Sequence, residues 1–200
     1  MPQTANLAVD GGWWLRHAHE LKTIFRIGFG LIWLIDGSLK FLPGFVDNFP
    51  GQVANAAAGA PPWLAGWYSF WVTQANSNPG LIVYTVGSLE LLLGFSLVFG
   101  FARKVAYLGG AVLSILIWAV PEGFGGPYSG GTGTDVGVGI VYALLFLGLA
   151  VINAAFGPSH YSLDYLIEKR FPAWAKVAEM GSGASRSPRR ETPPSDGARA

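Results

Sequence analysis

The sequence predicts an all-α membrane protein built as a bundle of four transmembrane helices. Four apolar segments approach the ~20 residues that a helix needs to cross about 30 Å of hydrocarbon. They span residues 23–42, 80–101, 104–120 and 136–156. The loops 43–79 and 121–135 contain no Lys or Arg, whereas basic residues flank the opposite ends of the segments. By the positive-inside rule, both loops lie outside and both termini are cytoplasmic, as in a multi-pass plasma-membrane protein.

The N-terminal segment, residues 1–22, is expected to be cytoplasmic rather than a signal peptide. The apolar stretch that follows it is long, contains Arg26 and lacks a convincing cleavage site. The transmembrane domain is therefore assigned to residues 23–156.

Ionisable residues lie inside the first two spans: Arg26, Asp36 and Lys40 in the first and Glu90 near the middle of the second. A charge within a bilayer costs roughly 2.5–3.5 kcal/mol on insertion scales, so such groups usually face a partner, a cavity or a working site. Asp36 and Lys40 are four residues apart and share a helix face. We expect Asp36, Lys40 and Glu90 to converge in the outer half of the bundle, with Arg26 near its inner end.

Each of these residues also has a structural interpretation. Lys40 and Arg26 can extend toward the lipid headgroups at opposite faces of the membrane. Glu90 lies in the middle of its span and cannot reach the headgroups. It is either paired with a cation in a structural contact that fixes helix order, or protonated and able to exchange a proton or contact a ligand. Gly30 and Gly37, near the same face, would permit close helix contact.

The first outer loop, 43–79, is too long for a passive connector in a compact protein. Its part from residue 50 to 62 is small-residue-rich and is expected to be flexible. The aromatic part, 62–74, is interpreted as a short helix on or in the outer membrane face, because Trp and Tyr favour that boundary. A cap packed on the bundle is the alternative.

The second outer loop, 121–135, is glycine-rich, which lets the backbone approach a ligand or take conformations closed to other residues. The alternative is that this loop is a tight connector between two helices. Thr134 or Asp135 is expected to cap the fourth helix.

After the last span, residues 157–180 form an amphipathic cytoplasmic segment expected to lie along the inner leaflet, with its basic groups on anionic lipid. Residues 181–200 contain almost no apolar side chain and are expected to be a disordered tail.

The chain has no cysteine, which excludes a disulfide relay, a thiolate metal site and a cysteine-ligated iron–sulfur cluster. The three histidines, His17, His19 and His160, all lie outside the spans. We therefore expect neither an intrinsic haem nor a metal site.

Two motifs support a family resemblance. The segment from Arg26 to "DGSLKF" and the following "GSLELLLGFSLVFGFARKVA" resemble the DoxX-type integral membrane proteins, whose first two helices carry R…G…K and G…E…G…L…G patterns. "GTGTDVGVGIVYALLFLGL" is similar to the last helix of the DoxD-like branch, which includes the large subunit of thiosulfate:quinone oxidoreductase. The matching positions of the first two helices are Arg26, Gly37, Lys40, Gly87, Glu90, Gly94 and Gly100.

The resemblance implies a membrane bundle linked to quinone-dependent sulfur oxidation or to another redox system. Our first interpretation is an integral subunit of a quinone-linked oxidoreductase, with Glu90 and Lys40 as candidate catalytic residues. Arg26, Asp36 and Asp135 are the candidate contacts for quinone or substrate. A quinone is the expected cofactor. The expected partners are membrane lipids and either another redox subunit or a second copy of the chain, with no nucleic acid.

If the electron donor is thiosulfate, the anion would approach Lys40 and the start of the fourth helix from outside, although Glu122 and Asp135 oppose this by making the rim acidic. Two alternatives remain open. One is a non-enzymatic scaffold or assembly subunit held together by buried charges and glycine faces. The other is a small proton-coupled transporter, which would have to oligomerise to enclose a route.

Overall fold

A computed structural model describes residues 12–125, 135–156 and 160–180. This part of the chain is helical almost throughout and has no β-strand, so the all-α prediction is confirmed. The helices are α1 (Trp13–Arg16), α2 (Ala18–Leu39), α3 (Pro43–Ala58), α4 (Ala65–Ser77), α5 (Pro79–Phe99), α6 (Arg103–Ala119), α7 (Val138–Phe156), α8 (Leu163–Arg170) and α9 (Ala175–Ala178). Single 3-10 turns at Pro62–Leu64 and Pro172–Trp174 precede α4 and α9. Residues 1–11, residues 126–134 of the glycine-rich loop with the predicted cap Thr134, residues 157–159 and the predicted disordered tail 181–200 lie outside these ranges.

Two helices, α5 and α7, are each long and apolar enough to cross a membrane. The pair α2 and α3 meets the same criterion together and is bent by 93° at the break between them. The described residues thus hold two to three candidate spans, which is consistent with a membrane protein. Helices α5, α6 and α7 begin and end within two residues of the predicted segments, whereas α2 begins at Ala18 rather than at residue 23.

Helix α2 packs along α5 at close range because glycines on both helices leave no side chain between the backbones. A β-carbon at Gly94 would lie 2.8 Å from Leu34 Cγ, and one at Gly87 would lie 2.8 Å from Lys40 Cβ. Gly37 lies similarly against Glu90. The predicted close helix contact through the glycines of the first helix is confirmed. These glycines pack against another helix of the same chain.

Helix α6 packs along α7 in a second pair, and an aromatic core joins the two pairs. In that core the ring centroids of Phe29 and Phe146 are 4.8 Å apart, and those of Trp33 and Phe146 are 5.5 Å apart. Tyr142 completes the cluster. Burial of these large rings is a main source of the apolar stabilisation between the pairs.

The cap, defined as α3 and α4 (residues 43–77), covers the end of the bundle where α2 ends and α5 begins. The prediction that residues 50–62 are flexible was wrong for the part up to Ala58, which is helical. The reason is that Phe49 and Val53, four residues apart, are both buried against α4 and α5, and this burial outweighs the weak helix propensity of Gly51.

The aromatic helix α4 packs on the bundle, which was the alternative interpretation of residues 62–74. The Tyr68 hydroxyl donates a hydrogen bond to the Ala119 carbonyl (3.0 Å), and Ala75 is buried. Trp63 and Phe70 remain exposed, as an interfacial position requires.

At the opposite end of the bundle, α8 and α9 fold back against the α5–α6 turn. Asp164 is fully buried and accepts hydrogen bonds from the backbone N–H groups of Ala102 (2.7 Å) and Arg103 (3.0 Å) and from Trp174 Nε1 (2.7 Å). The segment expected along the inner leaflet is therefore anchored to the bundle, while Leu166 and Phe171 stay exposed.

Candidate functional site

A cavity of about 530 Å³ lies between the helix pairs at the cap end. This volume falls in the range of small-molecule sites, which are mostly apolar with a few polar groups. The α2, α5, α6 and α7 helices form its walls, and residues of the cap cover it. Its aromatic lining consists of Trp33, Phe45, Phe49, Trp71 and Tyr142.

One wall of the cavity carries a charged group formed by Asp36, Lys40 and Glu90. Lys40 Nζ lies 3.1 Å from Asp36 Oδ2 and 3.3 Å from Glu90 Oε2. The one-turn spacing on α2 brings Asp36 and Lys40 together, and the close approach of α5 brings Glu90 to them. The predicted convergence of these three residues is confirmed, whereas their role in catalysis or binding stays a prediction.

The three residues differ in their access to the cavity. Asp36 and Lys40 line it, and Lys40 Nζ also lies 4.7 Å from the centroid of the Phe45 ring. Glu90 is 0% exposed and does not line it. Within the described part of the chain, neither carboxylate oxygen of Glu90 accepts a hydrogen bond, and Lys40 meets Oε2 as an ion pair. A molecule in the cavity would thus touch Lys40 directly and Glu90 only through Lys40.

Arg26 and Asp135 do not line the cavity. Arg26 is buried at the opposite end, where its Nη2 donates a hydrogen bond to the Tyr161 carbonyl (2.9 Å). Arg26 and Lys40 are fourteen positions apart, which corresponds to about 21 Å along a helix at ~1.5 Å per residue. Gly100 leaves room for the guanidinium: it has φ +65°, and a β-carbon there would overlap Arg26 Nη1. Arg26 is therefore a docking residue for the segment after α7.

Glu122 is a cavity residue that the sequence analysis treated only as part of an acidic rim. Its two carboxylate oxygens accept the Gly139 N–H, at 3.2 and 2.9 Å, so it caps the first turn of α7. Burial raises the pKa of Glu122 above its ordinary value, against the lowering effect of the Gly139 N–H. Asp135 instead accepts the N–H of Gly137, before the helix begins, so the prediction that Asp135 caps the helix was wrong, while Thr134 lies outside the described residues.

Three hydrogen-bond donors on the cavity lining have no acceptor among the described residues. They are Trp33 Nε1, Trp71 Nε1 and Ser114 Oγ. Trp33 is 1% exposed and Ser114 is 0% exposed. Buried polar groups are satisfied in the large majority of cases, so three on one lining are unusual. The sequence carries no signal that would single out Trp33 or Ser114 as donors on a cavity lining.

A second buried charge cluster, around Arg103, holds the opposite end together. Arg103 Nε donates to Asp164 Oδ2 (2.8 Å), Nη2 donates to Glu179 and lies 3.8 Å from Glu168 Oε1, and Nη1 donates to Asn153 Oδ1 (3.4 Å). Burial and the neighbouring Glu179 carboxylate raise the pKa of Glu168 to about 7. The cluster acts as a docking point for α8 and α9.

The structure shows no group of His, Asp or Glu suited to a metal ion in the ranges it describes. Comparison of the chain with known proteins gave no matching family model, no matching curated protein and no matching solved structure. The DoxX-like resemblance therefore stays a prediction carried by the motifs quoted above.

Proposed function

We propose that the protein is an integral membrane subunit of a quinone-linked redox complex and that the cavity at the cap end holds the quinone ring. The observation that carries the proposal is the placement of Lys40, which is ion-paired with Asp36 and Glu90, on the wall of a mostly apolar and aromatic cavity. Such a cavity suits a ring that carries polar oxygens, because the aromatic side chains can stack on the ring while the cation donates a hydrogen bond to an oxygen.

In this proposal the residues of the chain supply binding and protons. Lys40 donates a hydrogen bond to a ring oxygen and can pass it a proton. Both protons come in turn from water that reaches the half-exposed Asp36, and the Asp36 and Glu90 carboxylates return a proton to Lys40 after each transfer. Reduction of a quinone takes up two electrons and two protons, so the electrons come from a partner subunit that carries the donor site.

The cavity is placed to take a ligand from the hydrocarbon phase. Helix α5 packs mainly along α2, and α6 mainly along α7, so α5 and α6 contact each other less closely. Leu89 on α5 and Leu116 on α6 line the cavity although they are 46% and 42% exposed. A lipid-dissolved ring compound could therefore enter sideways between these two helices.

The proposal includes a four-span topology in which α2, α5, α6 and α7 cross the plasma membrane, the cap lies outside and both termini are cytoplasmic. The distribution of Lys and Arg supports it. Because the chain has no native cysteine, single cysteines can report it directly. In intact cells an impermeant thiol reagent should label a cysteine at Ser77 and not one at Ser185; the reverse pattern would invert the topology.

Glu90→Gln tests the function because it keeps the size of the side chain and removes its exchangeable carboxyl proton. In membranes containing the complete complex, the variant should assemble but lose quinone-linked turnover by ~10²–10⁴-fold, as for loss of a general acid–base group. The matched control is Glu20→Gln, the same change at an exposed carboxylate of α2, which should keep full turnover. Normal turnover per assembled Glu90→Gln complex would refute the proposal and favour a scaffold whose buried charges only hold helices together.

A further inference from the structure

The unpaired donors on the cavity lining point to the chemical class of its ligand. Trp33 Nε1 and Ser114 Oγ belong to side chains that are at least nine-tenths buried, both line the cavity, and neither has an acceptor in the described part of the protein. A buried donor without an acceptor loses its hydrogen bonds to water and destabilises the folded protein. An acceptor atom on a ligand inside the cavity would restore the hydrogen bond. The two residues come from different helix pairs, α2 and α6, so a ligand that meets both is held across the cavity.

The charges around the cavity restrict the ligand further. Asp36 and Glu122 line it with carboxyl groups, Glu90 adjoins it, and Lys40 is the cation among these four residues. A bound anion would therefore meet more negative than positive charge, at short range and with little water to screen it. An uncharged acceptor avoids this repulsion and still accepts hydrogen bonds from the Trp and Ser donors.

We propose that Trp33 and Ser114 determine ligand specificity: their Nε1–H and Oγ–H groups donate hydrogen bonds to oxygens of an uncharged ring compound, and the cavity rejects sulfur oxyanions. This inference rests on the proposed quinone cavity and narrows what that cavity admits. It assigns any oxidation of thiosulfate to a site outside this cavity, against the approach toward Lys40 that the sequence had suggested.

Binding to the full-length protein in lipid nanodiscs tests the inference with three probes. The probes are decylubiquinone, an uncharged decyl-substituted coumarin that is inert to redox chemistry in the assay, and thiosulfate. The variants are Ser114→Ala and Trp33 replaced by benzothienylalanine, which keeps the bicyclic shape but has no N–H. The matched controls are Ser38→Ala, whose Oγ donates to the Leu34 carbonyl, and the same benzothienylalanine replacement at Trp118, whose Nε1 donates to the Val136 carbonyl (2.8 Å).

Each cavity variant should raise the Kd of the neutral probe by about 3–10-fold, the loss of one hydrogen bond, while the controls leave the Kd unchanged. The ligand-free Tm should not fall in the two cavity variants, because their donors bind no acceptor in the protein. Thiosulfate should neither bind nor compete.

The outcomes separate this inference from the proposed function. Binding of the coumarin but not of the quinone, with loss in both cavity variants, would support the inference and refute the quinone assignment. Unchanged Kd values in both cavity variants, competition by thiosulfate, or no binding of either neutral probe to the unmodified protein would each overturn the inference.

Discussion

Lys40→Met is expected to destabilise the protein more than Glu90→Gln does, although the two substitutions disrupt the same ion pair. Lys40→Met leaves the fully buried Glu90 carboxylate without the cation that lies 3.3 Å from it. Removing one partner of a buried pair costs about 3–5 kcal/mol. Glu90→Gln leaves the ammonium 3.1 Å from Asp36, whose side chain is 41% exposed, so we expect a cost of about 1–2 kcal/mol.

The double substitution tests the contact itself. With both charges gone, no uncompensated carboxylate remains, and the combined cost should fall short of the sum of the single costs by roughly 0.5–3 kcal/mol. The free energy of unfolding can be measured by titrating dodecyl sulfate into the protein in mild-detergent micelles and following the loss of helical circular dichroism. Asp36→Asn is the control and should cost roughly 0.2–1 kcal/mol, as expected for a partly exposed pair.

Two results would refute this reasoning. Additive costs, agreeing within about 0.3–0.5 kcal/mol, would show that Lys40 and Glu90 are not coupled in the folded protein. A larger loss for Glu90→Gln than for Lys40→Met would show that Asp36 does not hold the ammonium once Glu90 is gone.

Two further predictions concern helix packing and the docking of the segment after α7. Gly94→Ala should lower the unfolding free energy by about 1–3 kcal/mol in the same titration, because its β-carbon would lie 2.8 Å from Leu34 Cγ, whereas Gly28→Ala, which meets nothing within 4 Å, should not lower it. Because burial and Glu179 raise the pKa of Glu168 from 4.5 to about 7, the docked state holds an extra proton between these values, and docking should weaken as pH rises through them. The protection factors of the amides in residues 163–178, which are exchange rates corrected for the base-catalysed rate of an unfolded amide, should therefore be lower at pH 8 than at pH 5. Glu168→Gln should remove this pH dependence of the protection factors; an unchanged pH dependence in the variant would contradict the assignment.

Features that depend on residues close together in the chain could be predicted before the fold was known. Runs of apolar residues define α5, α6 and α7 to within two residues, because a helix that buries or inserts its length needs an uninterrupted apolar stretch. The four-residue spacing of Asp36 and Lys40 was enough to predict their pairing. The depth of Glu90 in the next apolar stretch placed it near them.

Contacts between residues that are distant in the chain could be identified only from the packed helices. Arg26 donates to the carbonyl of Tyr161, 135 residues further along the chain, and the Arg103 guanidinium meets Asp164 across 61 residues; no local spacing encodes either contact. Glu122 replaced Asp135 as the cap of α7 for the same reason, since its carboxylate reaches Gly139 only once the two helices pack.

The cavity and its unpaired donors have no signature in the sequence, because a tryptophan or serine in an apolar span reads the same whether or not its polar group is satisfied. A cavity forms where neighbouring helix pairs fail to close, and that depends on crossing angles and side-chain volumes summed over four helices and the cap. Sequence order thus specified the helices and their charged face, whereas only three-dimensional packing decided where the protein leaves room for a ligand.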